Sequence, residues 1–518
     1  MIHPLVVNGM NALCRSKNQN ILIPRGRCRI GWGLTCNPRR LRDWAFGKYP
    51  ANIMRAHLIL PPFPFLRKEK ILPLNLAYLA AIVPPAVELQ VLDANLHAMS
   101  PSAFAKTVGE LDSDLLLFTA HTYQTPFVFQ AAAAAKQTHP GTLTVIGGPH
   151  VTVLPEETLR RGAALDVAVI GEGEQTLQEL IAAKKNGEPY EAIAGLLFRR
   201  DGELIRTARR DFIQDLDALP LPAWRHFEVR RYSAFYPLRG TSIPIITSRG
   251  CPFSCRFCVR AQGHRVRNRG LEVVKAELNR GLAEGHHTFD FVDETFTLDR
   301  RRALNLCEYI LGLPPEQSIE WVAQTRVDCV DGEMVSLMAR AGCRAINFGI
   351  ESGDQTVLDS LGKDITVAQI VRAVELCRHA KIKMLANVIL GAPLETPATL
   401  RATRKLILSL QPDRLAANQL VAFPGTEMYE LAQRGEYGMH LIHDDWGRMH
   451  PQMKTNLRVP GVTQRRISWA HFLLYFRFYV LRPNRETLRT ILTPTFARQY
   501  FVGLLATLFS RRTDRTGG

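Results

Sequence analysis

Three cysteines fall within eight residues, Cys251, Cys255 and Cys258, in the stretch SRGCPFSCRFC (248–258). Ten cysteines in 518 residues are too sparse for a disulfide scaffold, so thiols crowded into one loop point to metal or redox chemistry in a reducing compartment. Iron–sulfur clusters are held by closely spaced thiolates, and a four-iron cube with only three protein ligands leaves one iron open to a substrate or cofactor. The alternative is zinc, with His264 completing a Cys3His set, although C-x3-C-x2-C matches no common zinc pattern. The other seven cysteines (Cys14, Cys28, Cys36, Cys307, Cys329, Cys343 and Cys377) are scattered and read as core or loop residues.

The elements around the loop say where it must sit. Strand-like runs IPIITS (243–248), TFDFVDE (288–294), IEWVAQTR (319–326), RAINFGIES (344–352), KMLANVILG (383–391) and RLAANQLVAF (414–423) alternate with helical patterns over 271–284, 300–311, 332–341, 366–379 and 396–409. Six such strands fall short of the eight of a closed barrel and predict a partial (βα)6 TIM-like barrel over 241–430. The cysteines follow its first strand, at the carboxyl end where barrels place their active sites.

A second α/β region precedes it. HLILPP (57–62), VELQVLDA (87–94), DLLLFTA (114–120), LTVIGGPH (143–150) and LDVAVIGEG (165–173), with helices near 74–83, 101–110, 127–137 and from Glu174, predict a doubly wound, Rossmann-like parallel sheet over 54–190. Ligands on such sheets bind beyond the carboxyl ends of the strands. Residues 191–240 read as a connector in which LLFRRDGELIR (196–206) forms a hairpin around Asp201 and Gly202. Residues 431–518 read as a basic, largely helical region. Its apolar stretches HFLLYFRFYV (471–480) and YFVGLLATLF (500–509) are expected to pack on the barrel, with attachment to an anionic membrane surface as the alternative.

Charge is segregated. The net +17 is carried by residues 1–60 (ten Lys and Arg against Asp43) and 461–518 (ten Arg against Glu486 and Asp514), so the 400 residues between are formally neutral. That argues against a nucleic-acid groove in the folded middle and sends any polyanion or membrane contact to the ends. Residues 1–53 are weakly patterned and read as a poorly ordered extension, either a mobile arm or an upstream addition to a frame starting at Met54. Residues 1–20 lack a secretory apolar region and no uncharged run of membrane-spanning length is found, so a cytoplasmic location is expected.

The cysteine loop, with Phe257 before its last cysteine and a strand opening a (βα)6 series before it, resembles the signature of the radical S-adenosylmethionine (radical SAM) superfamily. FVDETFT (291–297), WVAQTRVD (321–328), INFGIESGDQTVLDSLGK (346–363) and NVILGAPLET (387–396) resemble the subgroup that carries an N-terminal cobalamin-binding domain. The resemblance covers about residues 56–430. It implies a [4Fe–4S] cluster on Cys251, Cys255 and Cys258 whose unique iron binds S-adenosylmethionine, which is cleaved to methionine and a 5′-deoxyadenosyl radical. It puts Phe257 near the adenine, Gly349 and Glu351 near the methionine and ribose, and Arg326 on the cofactor-facing end of its strand. It sets the glycine-rich loops with Gly147 and Gly148, together with Thr119 and Glu172, against cobalamin. The Asp-x-His-x-x-Gly motif that supplies an axial histidine is missing at PPFPFLRKEK (61–70), which implies cobalt without that ligand. His97, His121 and His150 read as loop or pocket-wall residues.

The resemblance implies a cobalamin-dependent methyltransferase acting on an unactivated carbon of a small molecule, reduced by a donor such as flavodoxin or ferredoxin. An oxidative cyclase or rearrangement enzyme of the same architecture, of the kind that acts on tetrapyrroles, stays open, as does a non-catalytic iron–sulfur protein. Neither the substrate nor a general acid or base is legible.

Overall fold

The computed structural model describes residues 53–64, 70–233, 238, 240–450 and 454–481. The N-terminal extension up to Asn52, with Cys14, Cys28 and Cys36, lies outside the described residues, as does the apolar stretch 500–509.

The first sheet has seven strands in the order β2-β1-β3-β4-β5-β6-β7. They are β1 (Met54–Leu60), β2 (Val87–Asp93), β3 (Leu115–Thr119), β4 (Leu143–Gly147), β5 (Val167–Val169), β6 (Leu196–Arg200) and β7 (Glu203–Arg206). The first five pair parallel, with helices Leu74–Ile82, Pro101–Gly109 and Thr125–Thr138 among their connections and the helix Gly173–Asn186 after β5. Five adjacent parallel strands covered by helices explain why β3 is buried at every position. The hairpin β6–β7 adds antiparallel to β5, so the sheet runs on to Arg206, past residue 190 where its pattern of parallel strands ends. Period alone does not tell that a hairpin will augment a sheet edge.

The second sheet has six strands in the order β15-β14-β13-β12-β11-β8, parallel throughout and open at both ends. They are β8 (Ile243–Ile245), β11 (Thr288–Phe291), β12 (Glu320–Thr325), β13 (Cys343–Glu351), β14 (Lys383–Leu390) and β15 (Arg414–Gln419). A short ribbon, β9 (Ser248–Arg249) with β10 (Arg267–Asn268), follows β8. One hydrophobic core runs through both sheets, with Trp224 from the proline-rich stretch between them buried in it.

The helix Gln464–Tyr475 and the turn after it cover the exposed edge of β15. The Tyr475 hydroxyl accepts from the Ala417 N–H at 3.0 Å, and Nε2 of His471 lies 2.9 Å from the Ala417 carbonyl oxygen. The Tyr479 hydroxyl accepts from the Leu415 N–H at 3.1 Å and donates to the Leu415 carbonyl at 2.9 Å. Residues 471–480 thus pack on the barrel, and their polar tips occupy backbone groups that an open edge would leave available to another strand. Among the described residues no helix is long and apolar enough to cross a membrane.

Candidate functional site

The cysteine loop is tied off at its base. Arg249 pairs with Arg267 and Ser248 with Asn268, so residues 250–266 form a closed excursion. Gly250 has φ +93, and a Cβ there would collide with the Arg265 carbonyl oxygen, so only glycine can open the loop. The Cys251 N–H donates to the Gly263 carbonyl at 3.1 Å, and the Cys258 N–H to that of Cys255 at 3.2 Å. Arg256 is clamped on both backbone sides, its N–H donating to Leu361 at 3.0 Å and its carbonyl accepting from Met428 at 2.8 Å. Beneath the loop, the buried Asp293 carboxylate accepts from the Thr247 N–H at 3.1 Å and from the Thr247 and Ser248 hydroxyls at 2.7 Å. These contacts fix the point at which β8 hands the chain to the cysteines.

The thiols sit in a cationic setting. Cys255 is buried, Cys251 half-buried and Cys258 exposed. Nη1 of Arg326 donates to Cys255 Sγ at 3.7 Å, and Nζ of Lys363 donates to Glu351 at 3.0 Å and lies 6.0 Å from the Phe257 ring centre. Burial pushes the Cys255 thiol up, while Lys363 and then Arg326 pull it back toward the thiolate. Burial also works against charge on Lys363, but Glu351 and the Cys255 sulfur outweigh it and hold the ammonium above the ordinary lysine range. Glu351 has φ +61, a strained value for a non-glycine residue, at the irregularity where β13 slips against β14 beyond Gly349. A Cβ at Gly349 would collide with Glu351 and Lys363, so Gly349 makes room for that pair. The structure therefore gathers Phe257, Arg326, Gly349 and Glu351 around the cysteines.

Three participants carry little signal in the sequence. Lys363 ends the quoted run INFGIESGDQTVLDSLGK and Asp328 ends WVAQTRVD, but nothing in their spacing marks them as partners of Glu351 and Arg326. Cys329 lies in the turn after Arg326, with its thiol pushed up to about 11 by burial and by Asp328, and with Cys251 among the groups acting on it. Cys307, Cys343 and Cys377 are buried core residues.

At the carboxyl ends of β1 to β5 lies a cavity of about 580 Å³. Thr119, Gly147, Gly148 and Glu172 all line it, together with apolar residues such as Leu58, Leu76 and Leu177. Gly148 has φ +101, and a Cβ there would press on Thr119 and the Ala120 backbone, whereas one at Gly147 would meet Val169 at an ordinary 3.7 Å. His121 lies on the wall; His150 and His97 are outside the lining. His150 is buried, 4.3 Å edge-on from Trp446, and loss of water pulls it down to about 3. The cavity also reaches the barrel, because Ile246, Arg249, Ala261, Gln262 and Val292 belong to the same lining.

A buried ion-pair network joins the two parts. Glu172 accepts from Arg249 at 3.0 Å, from Arg267 at 2.8 Å and from the Ile213 N–H at 2.7 Å. Arg249 also pairs with Glu174 at 2.6 Å, and all four side chains are at most 8% exposed. Burial works against the Glu172 charge, but Arg267 and Arg249 outweigh it and hold the carboxylate below its usual range. Both oxygens of Glu172 are thus committed to the base of the cysteine loop. It lines the cavity as a strut between the sheets.

The Radical SAM superfamily model matches residues 245–407, and the B12 binding domain model matches residues 67–181. An uncharacterized methyltransferase of Pyrococcus horikoshii is 32% identical over 442 residues, covering 84% of this chain and 94% of the relative. This chain belongs to the radical SAM superfamily. An anaerobic magnesium-protoporphyrin IX monomethyl ester cyclase of Cereibacter sphaeroides is 30% identical over 86% of this radical SAM chain and 72% of its own length. Among solved structures, the radical SAM methyltransferase TsrM of Kitasatospora setae, with cobalamin and [4Fe–4S] cluster bound, matches with TM-score 0.64 at 21% identity, over 82% of this chain and 91% of that one. That likeness is one of fold.

This radical SAM chain takes a [4Fe–4S] cluster and S-adenosylmethionine on the barrel side and cobalamin on the N-terminal sheet. The residues fit both. A cube asks for one thiolate per iron at separate corners, and Arg326 and Lys363 suit its negative charge. In the cavity, Gly147 and Gly148 leave the rim without side chains. A bare rim on a cavity of this volume suits a bulky ligand that the backbone must approach closely.

Proposed function

We propose that the chain is a cobalamin-dependent radical SAM methyltransferase that alkylates an unactivated carbon of a small molecule. The observation that carries this reading is the shared cavity, in which Gly147 and Gly148 of the first sheet and Ile246, Gln262 and Val292 beside the cysteine loop line one space. When bound, cluster and S-adenosylmethionine supply hydrogen abstraction, and cobalamin supplies the methyl group. In this reading Cys251, Cys255 and Cys258 hold the cluster, while Phe257, Gly349 and Glu351 flank S-adenosylmethionine. Thr119, Gly147 and Gly148 receive the corrinoid, and Glu172 and Arg249 hold the two halves in register. The corrinoid domain then extends from residue 54 through the β6–β7 hairpin, and the barrel over 241–430 is closed at its β15 edge by the segment after 464. The setting is a reducing cytoplasm with a one-electron donor such as flavodoxin or ferredoxin.

Protein purified anaerobically with cobalamin, then given S-adenosylmethionine, reductant and candidate metabolites, should yield S-adenosylhomocysteine, 5′-deoxyadenosine and a methylated product together. A new ring or oxygenated carbon without S-adenosylhomocysteine would instead assign the cyclase chemistry of the Cereibacter relative. No cleavage of S-adenosylmethionine at all would leave a non-catalytic iron–sulfur protein.

A further inference from the structure

Arg326 stands where a residue contacting S-adenosylmethionine is expected, yet its guanidinium is already engaged. Nε and Nη2 donate to the two Asp328 oxygens at 2.9 Å each, Nη2 also donates to the Lys363 carbonyl at 2.8 Å, and Nη1 donates to Cys255 Sγ at 3.7 Å. Four of its five N–H groups are thereby used, and the guanidinium carbon lies 3.6 Å from the centre of the Phe253 ring within the cysteine loop. The group is 5% exposed, so it is held in place by packing as well as by bonds.

We propose that Arg326 is a positioning residue that raises the reduction potential of the cluster through its N–H bond to the Cys255 sulfur. The inference rests on Cys255 being a cluster ligand. Reduction adds negative charge to the cluster and its ligating sulfurs, and a donor aimed at one of those sulfurs stabilises the reduced form more than the oxidised one. Asp328 offsets most of the guanidinium's charge, so the specific contribution is direction. The planar fork lets one edge grip Asp328 while Nη1 points the other way, at sulfur; a lysine ammonium offers a single point charge and cannot do both. Lys363, the other cation near Cys255, is committed to Glu351 at 3.0 Å. Because both ends of the Arg326 bond belong to the protein, its effect is present before S-adenosylmethionine arrives.

The test is a redox titration of the cluster by electron paramagnetic resonance, on full-length protein without S-adenosylmethionine, comparing wild type with Arg326→Gln and Arg326→Lys. Both variants should keep their iron and sulfide and show a reduced-to-oxidised ratio about tenfold lower at a fixed poise, equivalent to about 59 mV for one electron. Wild-type potential in Arg326→Lys overturns the proposal, because charge alone would then account for any effect of Arg326. Should Arg326→Gln fail to assemble a cluster, Arg326→Lys decides by the same criterion. Wild-type protein that carries no sulfide would sink the reading of the cysteines themselves, a different failure from an unchanged potential.

Discussion

At the cysteine loop, side chains from the turn after β12, from β13 and from the segment ending at Lys363 gather beside Cys255, and Arg326, Lys363 and Glu351 are all locked by mutual bonds. At the cavity on the first sheet the wall is made largely of what is missing: Gly147 and Gly148 without side chains, short β-strand ends, and aliphatic residues from the helix Leu74–Ile82. A small charged cofactor needs a few groups at fixed points, whereas a large ligand needs volume and a rim its edges can approach. The first kind of site is disabled by losing any one ligand. The second is degraded by filling it.

The comparison is broken most completely at the thiols. Replacing Cys251, Cys255 and Cys258 together by alanine should abolish bound iron and sulfide and all 5′-deoxyadenosine formation while leaving corrinoid retention near wild type. Loss of both cofactors in that variant would mean that the sites do not fold independently. Next in size is the strut. Glu172→Ala leaves the buried Arg267 without a carboxylate partner and takes one of two from Arg249, and should cost about 3–5 kcal/mol in denaturant melts. An unchanged midpoint would remove the network from the account of how the halves are held.

Crowding the cavity should act on one side alone. Gly147→Leu meets no backbone obstacle, so it should lower corrinoid retention severalfold while iron content stays put, whereas Gly148→Ala should also lose stability because of its φ of +101. Equal retention in Gly147→Leu and wild type would move the corrinoid elsewhere. The last effect belongs to the barrel. Burial pushes Glu395, in the loop after β14, from its ordinary 4.5 up to about 7. The folded state then holds a proton that the unfolded state has lost, so stability should fall by roughly 3 kcal/mol as pH rises from 4.5 to 7 and level off above. Urea melts across that range should show the slope in wild type and its loss in Glu395→Gln.

Much of this was legible in the sequence, and unevenly so. The six barrel strands and the five parallel strands of the first sheet follow from short apolar runs alternating with helical periods, and the cysteines follow from ligand chemistry at fixed spacing. Lys363 and Arg267 were not, because each acts through a partner on another element and no local pattern encodes such a pairing; Asp328 was not, because nothing in its spacing marks it as the partner of Arg326 two residues before it. The resemblance sets Glu172, in a glycine-rich loop at a strand end, against cobalamin. The structure puts it on the cavity wall, but the two arginines that occupy its carboxylate, Arg249 and Arg267, lie 77 and 95 residues further on. The capping of β15 by Tyr475 and Tyr479 was foreseen only as apolar packing, since a tyrosine hydroxyl looks the same in sequence whether it meets water or a strand edge.

The central claim is that the corrinoid cavity opens beside the cysteine loop, at Ala261 and Gln262, so that the two cofactors lie within magnetic reach of one another. It is tested most directly by electron paramagnetic resonance on wild-type protein loaded with both cofactors and reduced to the paramagnetic cluster with cob(II)alamin present. Mutual broadening or splitting of the two signals, absent when either cofactor is omitted, is the predicted result. Full occupancy of both with two unperturbed, independent spectra would contradict it.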